Sequence, residues 1–350
     1  MRRSTILGLV LAVAAAPLGA CRAGGSGDTD GGGSGGIDAR VGPDAQDGVG
    51  CEAYTPRTPP VELFVGPDGL EQRLIDEIDS ATQRLDVLMY LMTLDSFVNA
   101  IERAHSRGVA VRVMLDFDHP GNDNARSELL TAGVPLHDAA PIGFTHAHTK
   151  SMVVDDHAVI MSANLIYNSM SLERNYGVID RDPEDVGDLE SIIGSDWDAN
   201  GGYPDLDCTR LIVSPVNSRP RLLDHINRAQ NTLDLTVMYI TDSGILQAII
   251  DRYDAGVAVR VLLADPADIT YNADTITTLQ NAGVPVRVMK AFELHAKMVV
   301  SDGIPFVGSE NFSSTSLTRN REVGVMVTDD TQAAIARAQV DADWNLGVAP

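Results

Sequence analysis

Apolar positions along the chain follow two alternating rhythms. In the segment LEQRLIDEIDSA, Leu70, Leu74, Ile75 and Ile78 share one helical face. Residues 85–91 then run apolar with little alternation, which reads as a strand buried on both faces. Asp95 is a candidate N-cap for a helix through His105 that stops at Gly108. Residues 109–115 are rich in β-branched side chains and predict a second strand. A helix is predicted over 123–131, ending near Gly133, and Val134 opens another strand. Residues 152–154 and 158–161 predict two strands joined by a tight turn at Asp155-Asp156-His157. The order then repeats, with a helix over 221–229, a strand over 233–240, a helix over 243–254 and a strand over 257–263. Strand alternating with helix predicts a largely parallel sheet with helices on both faces, an α/β fold.

The repetition extends to individual residues. Gly108-Val109-Ala110-Val111-Arg112-Val113 returns intact at 256–261, and Ala132-Gly133-Val134-Pro135 returns at 282–285. The Leu-Asp to Met-Tyr run at 85–90 returns at 233–239 with one residue inserted. Order is kept and the spacing stays near 148 residues, far longer than a solenoid period. Two duplicated halves follow, 51–205 and 206–350, which predict a pseudo-twofold arrangement.

Composition narrows the partners. The 350 residues carry 26 Lys+Arg against 49 Asp+Glu, a formal charge of −23, and only 5% are aromatic. There is neither a basic footprint for a long nucleic-acid backbone nor an aromatic surface for stacking single-stranded bases. No stable nucleic-acid partner is expected, and the chain is expected to be a monomer. Arg2 and Arg3 precede an apolar run at 6–16, shorter than the ~20 residues needed to cross a bilayer. Residues 1–20 therefore read as an export signal. Leu18-Gly19-Ala20-Cys21 resembles the lipobox of bacterial lipoproteins. That resemblance implies lipidation of Cys21 and anchoring to the cell envelope, at the outer membrane given Arg22; the alternative is a secretory peptide cut near Ala20. Residues 21–50, rich in Gly, Ser and Asp, form a flexible tether with too few apolar side chains to fold. Cys51 and Cys208 are disulfide candidates in an oxidising compartment, the alternative being two free thiols.

The chemistry lies in a block present twice. His148-x-Lys150-x4-Asp155 and His295-x-Lys297-x4-Asp302 share the pattern His-x-Lys-x4-Asp. Residues i and i+2 of a strand point to one face, so each His stands beside its Lys. If the halves face each other, two His and two Lys converge on one local positive pocket, suited to a single phosphate. One neutral imidazole can attack phosphorus while the other, protonated, supplies a proton to the leaving oxygen. The Lys ammonium groups would stabilise charge on the phosphoryl oxygens. Ser162 and Asn164 follow the first block, and Ser309 and Asn311 the second, as hydrogen-bond donors to phosphate. Glu173 and Glu322, 25 and 27 residues after their own halves' histidines, are candidates for orienting the imidazoles. Aligning Arg174-Asn175 with Arg319-Asn320 sets Gly177 opposite Glu322, which leaves Glu173 open as an orienting partner.

The duplicated motif, with Gly308-Ser309-Glu310-Asn311 after the second copy, resembles the phospholipase D superfamily. The resemblance covers residues 60–345. It implies an α-β-α-β-α sandwich with one shared site, and phosphodiester chemistry through phosphohistidine without metal or other cofactor. It also implies His148 as nucleophile and His295 as acid. Asp155 and Asp302 belong to the motif's catalytic set, although a role in holding the Lys or the turn is favoured for them. Met161 departs from the pattern, occupying the first copy's Gly position. His146 reads as a pocket-edge residue, with a metal site as the lesser alternative. His105, His119, His137, His157 and His225 read as surface or structural. Trp197 and Trp344 read as core anchors of a closing helix in each half. The leading functional expectation is hydrolysis of glycerophospholipids to phosphatidic acid and head group. Phosphatidyl transfer of the cardiolipin synthase kind, a nuclease of the same superfamily and an inactive binding module are the alternatives.

Overall fold

The computed structural model describes residues 53–139, 144–198, 206 and 209–350. The leader, the tether, Cys21, Cys51 and Cys208 lie outside the described residues, and the anchoring and disulfide expectations with them. The first half runs β1 (Glu62–Gly66), α1 (Leu70–Ser80), β2 (Arg84–Met89), α2 (Asp95–Ser106), β3 (Ala110–Leu115), α3 (Asp123–Thr131), β4 (Leu136–Asp138), β5 (Lys150–Val154), β6 (His157–Met161), α4 (Tyr167–Ser171), β7 (Glu173–Asp180) and α5 (Pro183–Trp197). The second runs β8 (Ile212–Ser214), α6 (Ser218–Asn227), β9 (Thr232–Val237), α7 (Ser243–Asp254), β10 (Ala258–Ala264), α8 (Asn272–Asn281), β11 (Val286–Met289), β12 (Glu293–Leu294), β13 (Lys297–Ser301), β14 (Ile304–Gly308), α9 (Ser314–Thr318), β15 (Glu322–Met326) and α10 (Asp330–Leu346). Among the described residues no helix is long and apolar enough to cross a membrane.

Local chemistry explains most boundaries. Asp242 caps α7 by accepting from the Gly244 and Ile245 N–H groups. Asp95 differs from expectation: it is the first helical residue of α2, and Leu94 holds the cap position. The sheets also differ. Their orders are β1-β7-β6-β5-β2-β3-β4 and β11-β10-β9-β13-β14-β15-β8. Along these paths only β2-β3-β4 and β9-β10-β11 are parallel; the other neighbours pair antiparallel. Each sheet is therefore mixed rather than largely parallel. Continuous apolar strands report burial on both faces, not strand direction, and the two-residue links after β5 and β13 permit only antiparallel hairpins.

The two sheets and α5 and α10 enclose a shared central core. Leu88, Val153 and Ile160 of the first sheet meet Met298, Val300 and Val325 of the second, with Leu189 and Ile192 of α5 and Ala336 and Val340 of α10. Outer cores lie beneath α1, α2 and α3 on one side and α6, α7 and α8 on the other. The result is a five-layer α-β-α-β-α arrangement, in which each fully buried aliphatic side chain contributes about 1.5–3 kcal/mol. Trp197 and Trp344 pack partly buried against the central core, as expected of them.

Buried ion pairs cross between the halves, among them those of Arg321 and Arg174. Arg321 reaches Asp196 on α5 through two hydrogen bonds of 2.8 and 2.9 Å. Arg174 donates to Asp343 on α10 at 3.1 Å, and the Tyr176 hydroxyl donates to the same carboxylate at 2.8 Å. Removing one partner of such a pair strands a buried charge, at a cost of about 3–5 kcal/mol. The two halves are thus halves of one body, not separable domains.

Candidate active site

Each catalytic-motif histidine is stitched to the opposite half before its strand begins. In the first half, Thr145 N–H donates to Arg319, His148 N–H donates to Arg321, and Arg321 N–H donates to His146. In the second, Glu293 N–H donates to Leu172 and His295 N–H donates to Arg174, extending the parallel pairing of β12 with β7. This register sets His148 beside Glu322 and His295 beside Asn175. The His148 Nδ1 meets the Glu322 carboxylate at 2.9 Å. The His295 Nδ1 meets Asn175 Oδ1 at 3.1 Å, with the Glu173 carboxylate farther off at 3.6 Å. Nδ1 being engaged on both rings, Nε2 is the nitrogen left to act.

The orienting residues therefore act across the halves, contrary to the within-half pairing expected of Glu173 and Glu322. The correct repeat offset is that of the motif itself: Arg174 stands on Arg321, and Asn175, not Gly177, stands on Glu322. Strand alternation turns Arg174 and Arg321 away from the pocket toward α10 and α5, and their flanking residues toward it.

Both lysines are buried in the same place. Lys150 Nζ donates to the His148 carbonyl, and Lys297 Nζ donates to the His295 carbonyl at 2.6 Å. Burial pushes the Lys150 ammonium down to about 7, although Glu322, Glu173 and Glu310 pull the other way. Lys297 is pushed well below the ordinary lysine range by burial and by Lys150. Burial holds His148 down to about 4 against the opposing pull of Glu322. His295 is pushed well down by burial, then by Lys297, Lys150 and His148, which places both imidazoles in one field. Burial alone would raise Glu322, but His148 and Lys150 outweigh it and keep its carboxyl below the usual range. Burial of two lysines and two imidazoles together thus disfavours their charged forms, which a neighbouring anion would favour.

A family profile described as "Cardiolipin synthase, PLD-like domain" matches twice, at residues 74–197 and 222–344. The chain belongs to the phospholipase D superfamily. Among its relatives, the minor cardiolipin synthase ClsB of Bacillus subtilis is 23% identical over 321 residues, 81% of each chain. The mitochondrial cardiolipin hydrolase of Chlamydomonas reinhardtii is 30% identical over 131 residues, which is 37% of this chain and 58% of that protein. Among solved structures, phosphatidylserine synthase of Haemophilus influenzae superposes with a TM-score of 0.65 over 83% of this chain and 86% of the other, at 13% identity. Polyphosphate kinase of Porphyromonas gingivalis gives 0.63 over 80% of this chain and 46% of its own, at 14% identity. These two likenesses concern the fold.

Within this phospholipase D-like frame the two motif aspartates take the turn-holding role favoured for them. Asp155 and Asp302 are not at the site: they end their strands five residues beyond Lys150 and Lys297, about 16 Å along the strand. Asp155 accepts from Thr82, Gln83 and Arg84 backbone N–H groups at 2.8–2.9 Å and from the Thr82 hydroxyl. Asp302 accepts from Gln230, Asn231 and Thr232 N–H groups at 2.7–2.9 Å. Both take a left-handed φ, 49° and 45°, and clamp the turn rather than the Lys.

The Ser162 and Ser309 hydroxyls have partners inside the framework. Ser162 Oγ donates to Asn175 and accepts from Tyr176 N–H, and Ser309 Oγ exchanges hydrogen bonds with the Val323 backbone. Asn164 and Asn311 are buried. Their backbones are held by Ser169 and Ser316, while their buried Oδ1 atoms have no partner among the described residues. The Met161 departure is compensated. Over Gly177 the space is filled by Phe64 and Met161, and over the equivalent Gly324 by Phe306 and the buried Glu310 carboxyl.

Sequence reasoning missed Asn175 as an orienting group; keeping the offset of the two motifs through residue 175 would have found it. Tyr90 lines the pocket, its ring 4.6 Å from that of His148 and 5.0 Å from Lys150 Nζ. His146 sits at the edge of Tyr90, with Nδ1 3.6 Å from Asp116. His119, read as surface or structural, packs on the same ring at 5.2 Å. Among the described residues no group of three or more His, Cys, Asp or Glu is placed to hold a metal ion.

Proposed function

We propose that the chain is a phosphatidyltransferase, exchanging the alcohol on the phosphodiester of a phospholipid through a phosphohistidine intermediate. The observation that carries this reading is the pair of cross-held imidazoles, each beside a fully buried lysine, in one pocket. In the first step a histidine Nε2 bonds to phosphorus as the bond to the leaving alkoxide breaks. The other histidine transfers its Nε2 proton to that alkoxide. In the second step the incoming alcohol returns a proton to the second histidine and bonds to phosphorus as the P–N bond breaks. Lys150 and Lys297 neutralise the phosphoryl oxygens, with Asn164 and Asn311 as neutral donors beside them. The anionic phosphate also opposes the burial and like-charge repulsion that lower Lys150, Lys297 and His295.

Transfer is placed ahead of the hydrolysis expected from the sequence because the similarity to cardiolipin synthase runs over 81% of this chain. Hydrolysis remains the second reading, favoured by the 30% identity to a cardiolipin hydrolase over 131 residues. Both reactions pass through the same intermediate and differ in whether alcohol or water resolves it. The reading includes the exported, lipid-held chain expected from residues 1–50, whose anchor would keep the pocket near a bilayer.

Purified protein in EDTA, given phosphatidylglycerol vesicles and analysed by mass spectrometry, is expected to form cardiolipin and glycerol. Phosphatidic acid as the sole lipid product would move the assignment to hydrolysis. Cleavage of single-stranded DNA with no change in any phospholipid would overturn both.

A further inference from the structure

Each imidazole is surrounded by the same three kinds of side chain, Ser, Glu and Asn, in opposite order. Around His148 the carboxylate of Glu322 makes the contact, and Ser316 Oγ and Asn320 Nδ2 donate to it from behind. Around His295 the amide of Asn175 makes the contact. Ser162 Oγ donates to its Oδ1 at 2.7 Å, and its Nδ2 donates to Glu173 at 3.2 Å. Glu173 is held in turn by the Ser169 hydroxyl at 2.6 Å. The exchange is written in two equivalent tripeptides, Glu173-Arg174-Asn175 at the start of β7 and Asn320-Arg321-Glu322 leading into β15. The central arginine is kept and its two neighbours are swapped.

We propose that this swap divides the labour of the site: Glu322 makes His148 the nucleophile, and Asn175 makes His295 the acid and base. The inference rests on the phosphoryl-transfer reading above. When His148 Nε2 bonds to phosphorus its ring becomes cationic, because Nδ1 still carries hydrogen, and the Glu322 carboxylate lies 2.9 Å away to balance that charge. His295 has the opposite task, passing from cation to neutral as it releases its proton. An amide oxygen fixes the same Nδ1–H tautomer but holds the cation less firmly than a carboxylate, so release is easier. The Asn175 amide cannot turn over without breaking its bonds from Ser162 and to Glu173. The charged groups facing His295 are Lys297, Lys150 and His148, with Glu173 at 3.6 Å; those facing His148 are Glu322, Lys150 and Lys297. Asn175 and Glu322 are thus positioning residues that bias two chemically identical rings.

The test is the pH dependence of kcat on bis(4-nitrophenyl) phosphate, a soluble diester that reads the chemistry whatever lipid or alcohol the site prefers. The acidic limb reports the nucleophile, which must be deprotonated, and the alkaline limb reports the acid, which must be protonated. Asn175→Asp is expected to move the alkaline limb up by about one pH unit or more and leave the acidic limb in place. Glu322→Gln is expected to move the acidic limb down and lower the maximum rate. Movement of the opposite limbs, or of neither, overturns the proposal. In a His295→Ala variant quenched at alkaline pH, the trapped phosphoryl group is expected on His148; finding it on another residue overturns the assignment as well. Absence of turnover of lipid and soluble diester alike by the unaltered protein would count against the proposed function itself. Turnover of the diester with unmoved limbs would count against this inference alone.

Discussion

The two ends of strands β5 and β13 carry one sequence motif and serve opposite purposes. At the pocket end, Lys150 and Lys297 are buried, donate mainly to the carbonyls of their own motif histidines, and are held below their ordinary protonation range by burial. At the far end, Asp155 and Asp302 sit near the surface and accept three or four hydrogen bonds each from the chain that leads into β2 and β9. The pocket end stores electrostatic demand that a phosphate can meet; the other end is already satisfied and fixes strand register. A constant spacing of His, Lys and Asp therefore joins a chemical device to a structural clamp by five residues of strand. Variants at the two ends should separate activity from stability.

The largest effect is expected at the pocket. His148→Ala should abolish turnover, and His295→Ala should lower it by ~10²–10⁴-fold, the worth of a positioned acid. Thermal melts of both should stay close to that of the unaltered protein. A parallel loss of melting temperature and rate would erase the distinction between the two ends.

The clamp should show the reverse pattern. Asp302→Ala removes the acceptor of three backbone N–H groups and should cost about 1–2 kcal/mol by denaturant melts, as loss of a helix cap does. Its kcat, measured well below the melting temperature, should hold within a few-fold. A collapse of kcat in a folded Asp302→Ala protein would place that residue in the chemistry after all.

Smaller effects appear in pH dependence, in separate pH windows at the two ends. Burial is the largest single influence on Asp155 and opposes its ionisation, but hydrogen bonds from Arg84, Gln83 and Thr82 together outweigh it and hold it down to about 2. Its folded value lies below the unfolded value near 3.9, so its contribution is present above about pH 4 and lost as pH falls toward 2. Asp155→Asn should flatten the acid limb of a stability-versus-pH curve. Lys150 acts in a higher window and as a cost, because burial disfavours its charged form. Its folded value of about 7 lies below the unfolded value near 10.4, so between these the unfolded chain holds a proton the folded chain has released. Stability should therefore rise with pH across that window, and Lys150→Met should remove part of the rise. Inorganic phosphate should raise the melting temperature of the unaltered protein more than that of Lys150→Met.

Much of this was legible in the sequence. Periodicity located helices such as α3 and α7 to the residue, because apolar spacing is a direct record of which face is buried. It could not give the mixed sheet direction, since an apolar strand looks alike beside parallel and antiparallel neighbours. The His-x-Lys pairs announced the pocket through i, i+2 alternation. The orienting groups were harder. Glu322 was found as a residue type at a spacing, but its partner was assigned to the wrong half, because crossing of the lead-in strands is a property of packing between halves. Asn175 was passed over because an amide does not stand out among carboxylate candidates. A hydroxyl near a phosphate site can serve either the ligand or the frame, and the frame partners of Ser162 and Ser309 are visible only in the hydrogen-bond network.

The claim on which the account turns is that each histidine is held by the opposite half. Histidine ring resonances of the intact resting protein, assigned with the His148→Ala and His295→Ala variants, test it through Glu322→Gln. The account predicts that the His148 ring changes its Nδ1 shift and titrates at lower pH, with His295 much less affected. A change confined to His295, with His148 unmoved, would contradict it.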